Sequence, residues 1–172
     1  MKLLATTRLF LRTARLADAG LYLALVNDPD FVTYVGERGI RCLRAARDAL
    51  RDGPLRMQAE LGHSIYVVER RDGVALGMCG LIRRDGLDGV DIGYAFLPQA
   101  RGQGYAHEAA AAVVEYARNG LGLPELLAVV DPKNHSSISL LQKIGLRFDK
   151  MVHLSPHHSA VHVYLISFDG NS

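Results

Sequence analysis

The chain has 172 residues, 49% of them hydrophobic and 22% charged, which suits one ordinary domain with a buried core and excludes an intrinsically disordered chain. Its net charge is only +2, with the signs interspersed. The concentrated basic field of a non-specific nucleic-acid binder is therefore missing, although a local basic patch for a small polyanion has room. No apolar run approaches the ~20 residues of a membrane span, and Met1-Lys2-Leu3-Leu4-Ala5 is too short for a signal-peptide core.

Cys42 and Cys79 form no CxxC pair, so reduced thiols in a cytoplasmic protein are expected. Cys79 lies in an apolar run and reads as a small core residue. Nothing around it supplies the low pKa that a nucleophile needs.

Leu9-Phe10-Leu11-Arg12 predicts a short strand after Thr6-Thr7-Arg8. Asp18 opens a helical pattern carried by Ala17, Leu21 and Leu25, and Asn27-Asp28-Pro29-Asp30 ends it. A second amphipathic helix spans 43–61, bent or broken at Gly53-Pro54. Residues 64–69, 75–83 and 90–97 then read as three strands joined by Arg71-Asp72-Gly73, Arg84-Asp85-Gly86 and Asp88-Gly89 turns, an antiparallel meander. Pro98 stops the third strand. A long Ala-rich helix follows over 104–119 with Gly120 as its C-terminal signal, then a strand over 124–130 and a helix over 134–144 closed by Gly145. Arg147-Phe148 and 161–168 supply the last strands. One mixed α/β domain spanning 1–172 is the expectation, with no internal repeat or linker.

The segment from Asp91 to Ala112 carries the most chemistry. A strand feeds a Gly-containing loop that enters a helix directly. Glycine allows a sharp turn and a close ligand approach. The first helical amides lack internal partners and, with the helix dipole, form an anion site beside Arg101. A P-loop needs Gly-Lys-Ser/Thr where this chain has Gly104-Tyr105-Ala106. A dinucleotide-binding turn needs a third glycine where His107 stands, and a βαβ unit where a meander is read. Neither fits. The pattern Q/R-x-x-G-x-G/A after a meander is met by Gln99, Gly102 and Gly104.

That last pattern resembles the pyrophosphate motif of the GNAT N-acetyltransferase superfamily. The resemblance extends to the helix Asn134-His135-Ser136-Ser137-Ile138-Ser139-Leu140-Leu141-Gln142-Lys143-Ile144-Gly145-Leu146 and to the opening Thr7-Arg8-Leu9-Phe10-Leu11-Arg12 with Asp18 and Asn27-Asp28-Pro29. The opening is similar to the branch that contains the ribosomal-protein alanine N-acetyltransferases. Leu146 replaces the usual Phe, and Asp91 stands where Glu is common.

The resemblance implies an α+β GNAT fold with a mostly antiparallel mixed sheet of about seven strands and about four helices, two of the strands splayed apart. It implies acetyl-CoA as cosubstrate, with the pantetheine along Ala95, Phe96 and Leu97 and the pyrophosphate on the amides of Arg101, Gly102, Gln103, Gly104, Tyr105 and Ala106. Asn134 reads equally as a helix N-cap and as a ligand of the pantetheine arm. Ser137 reads as a solvated helix serine or as the proton donor to the leaving thiolate. Asp91 reads as a strand-edge residue beside a turn or as a general base acting directly or through water. The acceptor would be a primary amine, a protein N-terminus or a small molecule, attacking directly in a ternary complex. A polarising backbone amide on the splayed strand would assist. A non-catalytic acyl-CoA sensor or scaffold fits the Gln99–Gly104 motif too.

His153, His157, His158 and His162 invite a zinc reading, but no Cys or Glu accompanies them at a recognised spacing, so no metal is expected. The resemblance places their loop near the acceptor, where His157 or His158 would touch substrate. Neither nucleic acid nor membrane is an expected partner, and a homodimer is compatible with the reading.

Overall fold

In the computed structural model, residues 1–170 are described. Strand β1 (Lys2–Ala5), absent from the sequence expectations, pairs antiparallel with β2 (Leu9–Thr13). With four residues and an irregular register between Lys2 and Leu4, it leaves no legible period-2 pattern. Helix α1 (Ala19–Val26) ends at Asn27 as expected, but Pro29 also starts a second helix, α2 (Pro29–Tyr34). Extended Asp28 accepts from the Phe31 amide at 3.4 Å, and Pro29 occupies the first helical position, where a missing N–H costs nothing.

The bent helix expected over 43–61 is α3 (Leu43–Leu50) and α4 (Arg56–Leu61), joined by one wide π-type turn over Arg51–Leu55 that contains Gly53-Pro54. The wider turn carries the chain past proline's missing amide without ending the rod. Strands β3 (Ile65–Arg70), β4 (Ala75–Ile82) and β5 (Asp91–Phe96) form the expected meander. Helix α5 (Tyr105–Glu115) continues into a wide turn over Tyr116–Gly120. Gly120 is therefore not the left-handed terminator expected. That conformation falls to Gly122, with φ of +63°. Strand β6 (Glu125–Val130), helix α6 (His135–Lys143), and strands β7 (Arg147–Val152) and β8 (Val161–Ser167) complete the chain, with Gly145 left-handed after α6.

Among the described residues the sheet has eight strands in the order β1-β2-β3-β4-β5-β6-β8-β7, one more than expected. The helices make five rods where four were expected, counting α3 and α4 as one. Every strand pair is antiparallel except β5–β6. No helix among the described residues is long and apolar enough to cross a membrane.

Both sheet faces are covered, so alternate residues enter different cores. Val67 and Met78 pack against Ala19, Leu25, Ala46 and Leu50 of α1 and α3. Tyr66, Val68, Cys79, Leu81, Ile92 and Phe96 pack against Ala109, Ala110, Val113 and Leu141 of α5 and α6. Burial on both faces explains why β3 and β4 read as continuous apolar runs rather than alternating ones. It also explains Cys79: burial drives its thiol far above the ordinary range, the opposite of what a nucleophile needs.

The opening motif has a structural meaning. Buried Arg12 on β2 donates two bonds to Asp18 at 2.7 and 2.9 Å and one to Glu69 on β3 at 2.9 Å. It thereby clamps the start of α1 to the sheet.

Candidate functional site

Between β5 and β6 the sheet opens. The strands share one residue pair, Asp91 with Leu127, and the Leu127 amide donates to the Val90 carbonyl at 2.9 Å. Past that point they separate. The Leu97 amide donates to Leu76 on β4 at 2.9 Å, and peptide groups alternate sides along a strand. The peptide groups of Tyr94 and Phe96 therefore face the gap, while that of Ala95 faces β4. Of the expected pantetheine contacts, Phe96 offers its amide while its carbonyl accepts from Arg101 at 2.9 Å, Ala95 lines the gap, and the Leu97 amide is already paired.

The gap is part of an open cavity of about 1390 Å³. Gly102, Gly104 and Ala106 line one wall, Tyr94, Ala95 and Phe96 the floor, and Asn134 and Ser137 a second wall. Leu25, Asp28, Phe31 and Tyr34 line the end formed by α1 and α2. Gly102 (φ +73°) and Gly104 (φ +82°) are both left-handed, which turns the chain from β5 into α5 and leaves the first amides of α5 facing outward. Gln103 and Tyr105 belong to this turn, but their side chains do not line the cavity.

Arg101 does not project freely beside the loop. Its amide closes a turn on the Pro98 carbonyl at 3.2 Å. Its guanidinium binds Asp28 at 2.6 Å, Asp30 at 3.0 Å and the Phe96 carbonyl at 2.9 Å. It is a strut between the glycine turn and α2. Arg8 is the cation that lies over the turn: it donates to the Gln103 carbonyl at 2.8 Å, covers the Tyr105 ring at 4.4 Å and pairs with Glu108 at 2.7 Å. Partial burial alone would raise the Glu108 carboxyl, but bonds from the Thr6 hydroxyl and from the Arg8 amide and side chain outweigh it and hold it below the usual range. Sequence reasoning missed Arg8, Glu108 and Asp28 as site-shaping residues. Their signal was present in the Thr6-Thr7-Arg8 and Asn27-Asp28-Pro29 segments, whose partners lie about 70 to 100 residues away.

Asp91 is fully buried at the closed base of the gap and does not line the cavity. Arg84 binds both of its oxygens, at 2.7 and 3.1 Å. Burial pushes its carboxyl above the ordinary range despite the pull of Arg84. Asn134 caps α6, its side-chain oxygen accepting from the Ser137 amide at 3.2 Å. Its side chain also lines the cavity, so cap and ligand roles are compatible. The Ser137 hydroxyl sits 2.6 Å from the hydroxyl of Tyr94, a residue the sequence reading passed over. Burial pushes the Tyr94 phenol up to about 12, although the Ser137 bond pulls the other way.

None of His153, His157, His158 or His162 lines the cavity. His162 packs edge-on against Phe148, with ring centres 4.9 Å apart. No group of three or more His, Cys, Asp or Glu among the described residues is placed to hold a metal ion.

Residues 8–147 match the model of the acetyltransferase (GNAT) domain. The chain is 34% identical over 153 residues to the uncharacterized protein YkkB of Bacillus subtilis (strain 168), covering 87% of each. Among solved structures, an acetyltransferase from Agrobacterium tumefaciens str. C58 superposes with a TM-score of 0.80 at 26% identity, covering 95% of this chain and 92% of that one. The fold also matches Mycobacterium smegmatis RimJ in complex with CoA-disulfide, with TM-score 0.76, 21% identity and 92% and 81% coverage. A ribosomal-protein-S5-alanine acetyltransferase from Vibrio fischeri matches with TM-score 0.77, 13% identity and 96% coverage of each chain. The splayed sheet, the glycine turn at the head of α5 and the match over residues 8–147 agree: this chain belongs to the GNAT acetyltransferase family.

Proposed function

We propose that the protein transfers the acetyl group of acetyl-CoA to a primary amine by direct attack within a ternary complex. One observation carries this reading: a single cavity joins the outward amides at the head of α5, the gap-facing edge of β5 beyond Asp91 and the Ser137 hydroxyl. The pyrophosphate would rest on the amides of Gly102 to Ala106, under Arg8. Lys133 and Lys143 add positive charge to the cavity wall. The pantetheine arm would run along the Tyr94 and Phe96 peptide groups, with Asn134 alongside. RimJ, which shares this fold, was solved in complex with CoA-disulfide, in keeping with a CoA-binding role.

The amine would enter from the α1–α2 end, past Phe31 and Tyr34. Its nitrogen forms a bond to the thioester carbonyl carbon, the C–S bond breaks, and sulfur leaves as thiolate. An outward amide of β5 polarises the carbonyl, and Ser137 gives the thiolate its proton. An α-amine, with a reference pKa of about 7.7–8.0, is partly neutral already and needs little help from a base. A ribosomal-protein alanine, as named for the V. fischeri acetyltransferase, would supply such an amine where it stands first in its chain.

The test is a panel of N-terminal peptides, polyamines and aminoglycosides with acetyl-CoA, read by free thiol. At least one amine should give acceptor-dependent thiol release. Tight CoA binding with no release across the panel would make the protein a non-catalytic acyl-CoA module instead. Ser137→Ala should lower kcat about tenfold to a hundredfold while the KM for acetyl-CoA moves less than threefold. Equal changes in both would move Ser137 from proton donor to binding residue.

Asp91 takes a structural part in this proposal, holding Arg84 at the closed end of the gap. Asp91→Asn should keep kcat within about threefold of wild type and lower stability by about 1–3 kcal/mol, since it leaves a buried hydrogen-bonded pair incomplete. A hundredfold loss of kcat with an unchanged melting temperature would restore Asp91 as the general base.

A further inference from the structure

We propose that Tyr94 is a positioning residue for the leaving-group step, holding the Ser137 hydroxyl so that the serine proton points into the cavity. The inference rests on the acetyl transfer proposed above. Alternation along β5 directs Ile92, Tyr94 and Phe96 toward the α5–α6 face, and there the Tyr94 ring reaches the first turn of α6.

The two hydroxyls carry two protons between them, and the contact at 2.6 Å consumes one. If Ser137 were the donor, its proton would be spent on Tyr94 and none would face the cavity. Within the protein the Tyr94 proton would then have only the Ser137 carbonyl to go to. That contact is 3.3 Å, long for an O–H···O bond, and a carbonyl in that turn normally accepts from the amide four residues on. The favourable arrangement is the other one. Tyr94 donates to the Ser137 oxygen, and the serine proton is left free. Asn134 fixes the same residue from behind, accepting from the Ser137 amide at 3.2 Å. A serine in a first helical turn otherwise rotates among backbone acceptors. Here backbone and hydroxyl are both pinned. The raised Tyr94 phenol stays protonated across any workable assay pH, so the donor is always present.

The step balances. As the C–S bond breaks, sulfur takes the Ser137 proton, Ser137 takes the Tyr94 proton across the 2.6 Å contact, and the phenolate regains one from solvent. The acylated nitrogen releases one proton in the same turnover, so none is gained or lost overall.

Two measurements on wild type, Tyr94→Phe, Ser137→Ala and the double variant test this. The first needs no acceptor: the thiol of bound CoA is titrated by its thiolate ultraviolet absorbance. A directed hydroxyl stabilises the thiolate, so Ser137→Ala should raise the thiol pKa of bound CoA by about one unit. Tyr94→Phe should raise it by about half a unit, and should add nothing in the Ser137→Ala background. The second is steady-state kinetics. Tyr94→Phe should lower kcat about tenfold with the KM for acetyl-CoA within twofold, and the double variant should match Ser137→Ala alone. A thiol pKa in Tyr94→Phe equal to wild type overturns the proposal, as does an equal effect of Tyr94→Phe with and without Ser137. Failure of wild type to bind CoA would instead remove the donor-site reading beneath it.

Discussion

Gly104→Val is expected to weaken CoA binding at least a hundredfold while leaving a folded protein. Gly104 is the residue before α5, with φ of +82°, a region where a β-branched side chain is a genuine outlier costing about 1–3 kcal/mol. The chain relieves that strain by turning the adjoining peptides, and these are the peptides whose amides face the cavity. The valine methyls also stand where Gly104 now lines that cavity. A hundredfold loss corresponds to about 2.7 kcal/mol, within reach of the two effects together. The fold should survive, because a Cβ at Gly104 meets only the end of the Arg8 side chain, at 3.2 Å, and no backbone. Titration calorimetry with CoA reads the affinity, and a thermal melt reads the fold. Wild-type affinity in this variant would place the anion site elsewhere.

Arg12→Leu should cost about 3–5 kcal/mol of stability, the usual result when one partner of a buried ionic network is removed. Arg12, Asp18 and Glu69 side chains are only 8%, 10% and 12% exposed, so two carboxylates would be left buried without their cation. The pH dependence gives this cause a signature. Burial alone raises the Asp18 carboxyl, yet Arg12 and the Arg15 amide outweigh it and leave it below the ordinary range. In wild type Asp18 therefore contributes stability that is present above its unfolded pKa of about 4 and fades as pH falls through its lower folded value. In the variant the unpaired carboxyl is destabilising when ionised and is relieved as it takes up a proton. The gap between the two proteins should be widest near neutral pH and narrow below about pH 4. Denaturant unfolding at the two pH values checks this, and a gap independent of pH would assign the loss to packing.

Much of the proposed donor site was legible in the sequence because it is local. The chain runs from β5 through the glycine turn into α5 within about 25 residues, and each part has a residue-level cause: Pro98, Gly102, Gly104, then alanines. Asn134 and Ser137 were legible for the same reason, as the first turn of one helix. What escaped was long-range. Arg101 looked like a phosphate ligand because it stands beside the glycine turn, but its partners, Asp28 and Asp30, sit more than 70 residues earlier. Arg8 looked like one polar residue of the segment leading into the opening strand, and its partner Glu108 is 100 residues later. Tyr94 drew no reading of its own, since a hydroxyl shows its purpose only when the facing helix is in place. Asp91 read equally as a strand-edge residue beside a turn and as a general base, and only the sheet register shows that this end of β5 is closed by Leu127. The proposed acceptor end follows the same rule. Leu25, Phe31 and Tyr34 come from two helices, one of which, α2, the sequence hid behind a proline that stops one helix and starts the next.

The most direct test mixes the protein with one equivalent of acetyl-CoA and an amine from the panel, and weighs acceptor and protein together by intact mass. Direct transfer in the β5–β6 cavity predicts one acetyl group on the amine for each free thiol, with the protein's own mass unchanged throughout. Thiol release with the acetyl group on the protein, or with no acetylated amine at all, would contradict it.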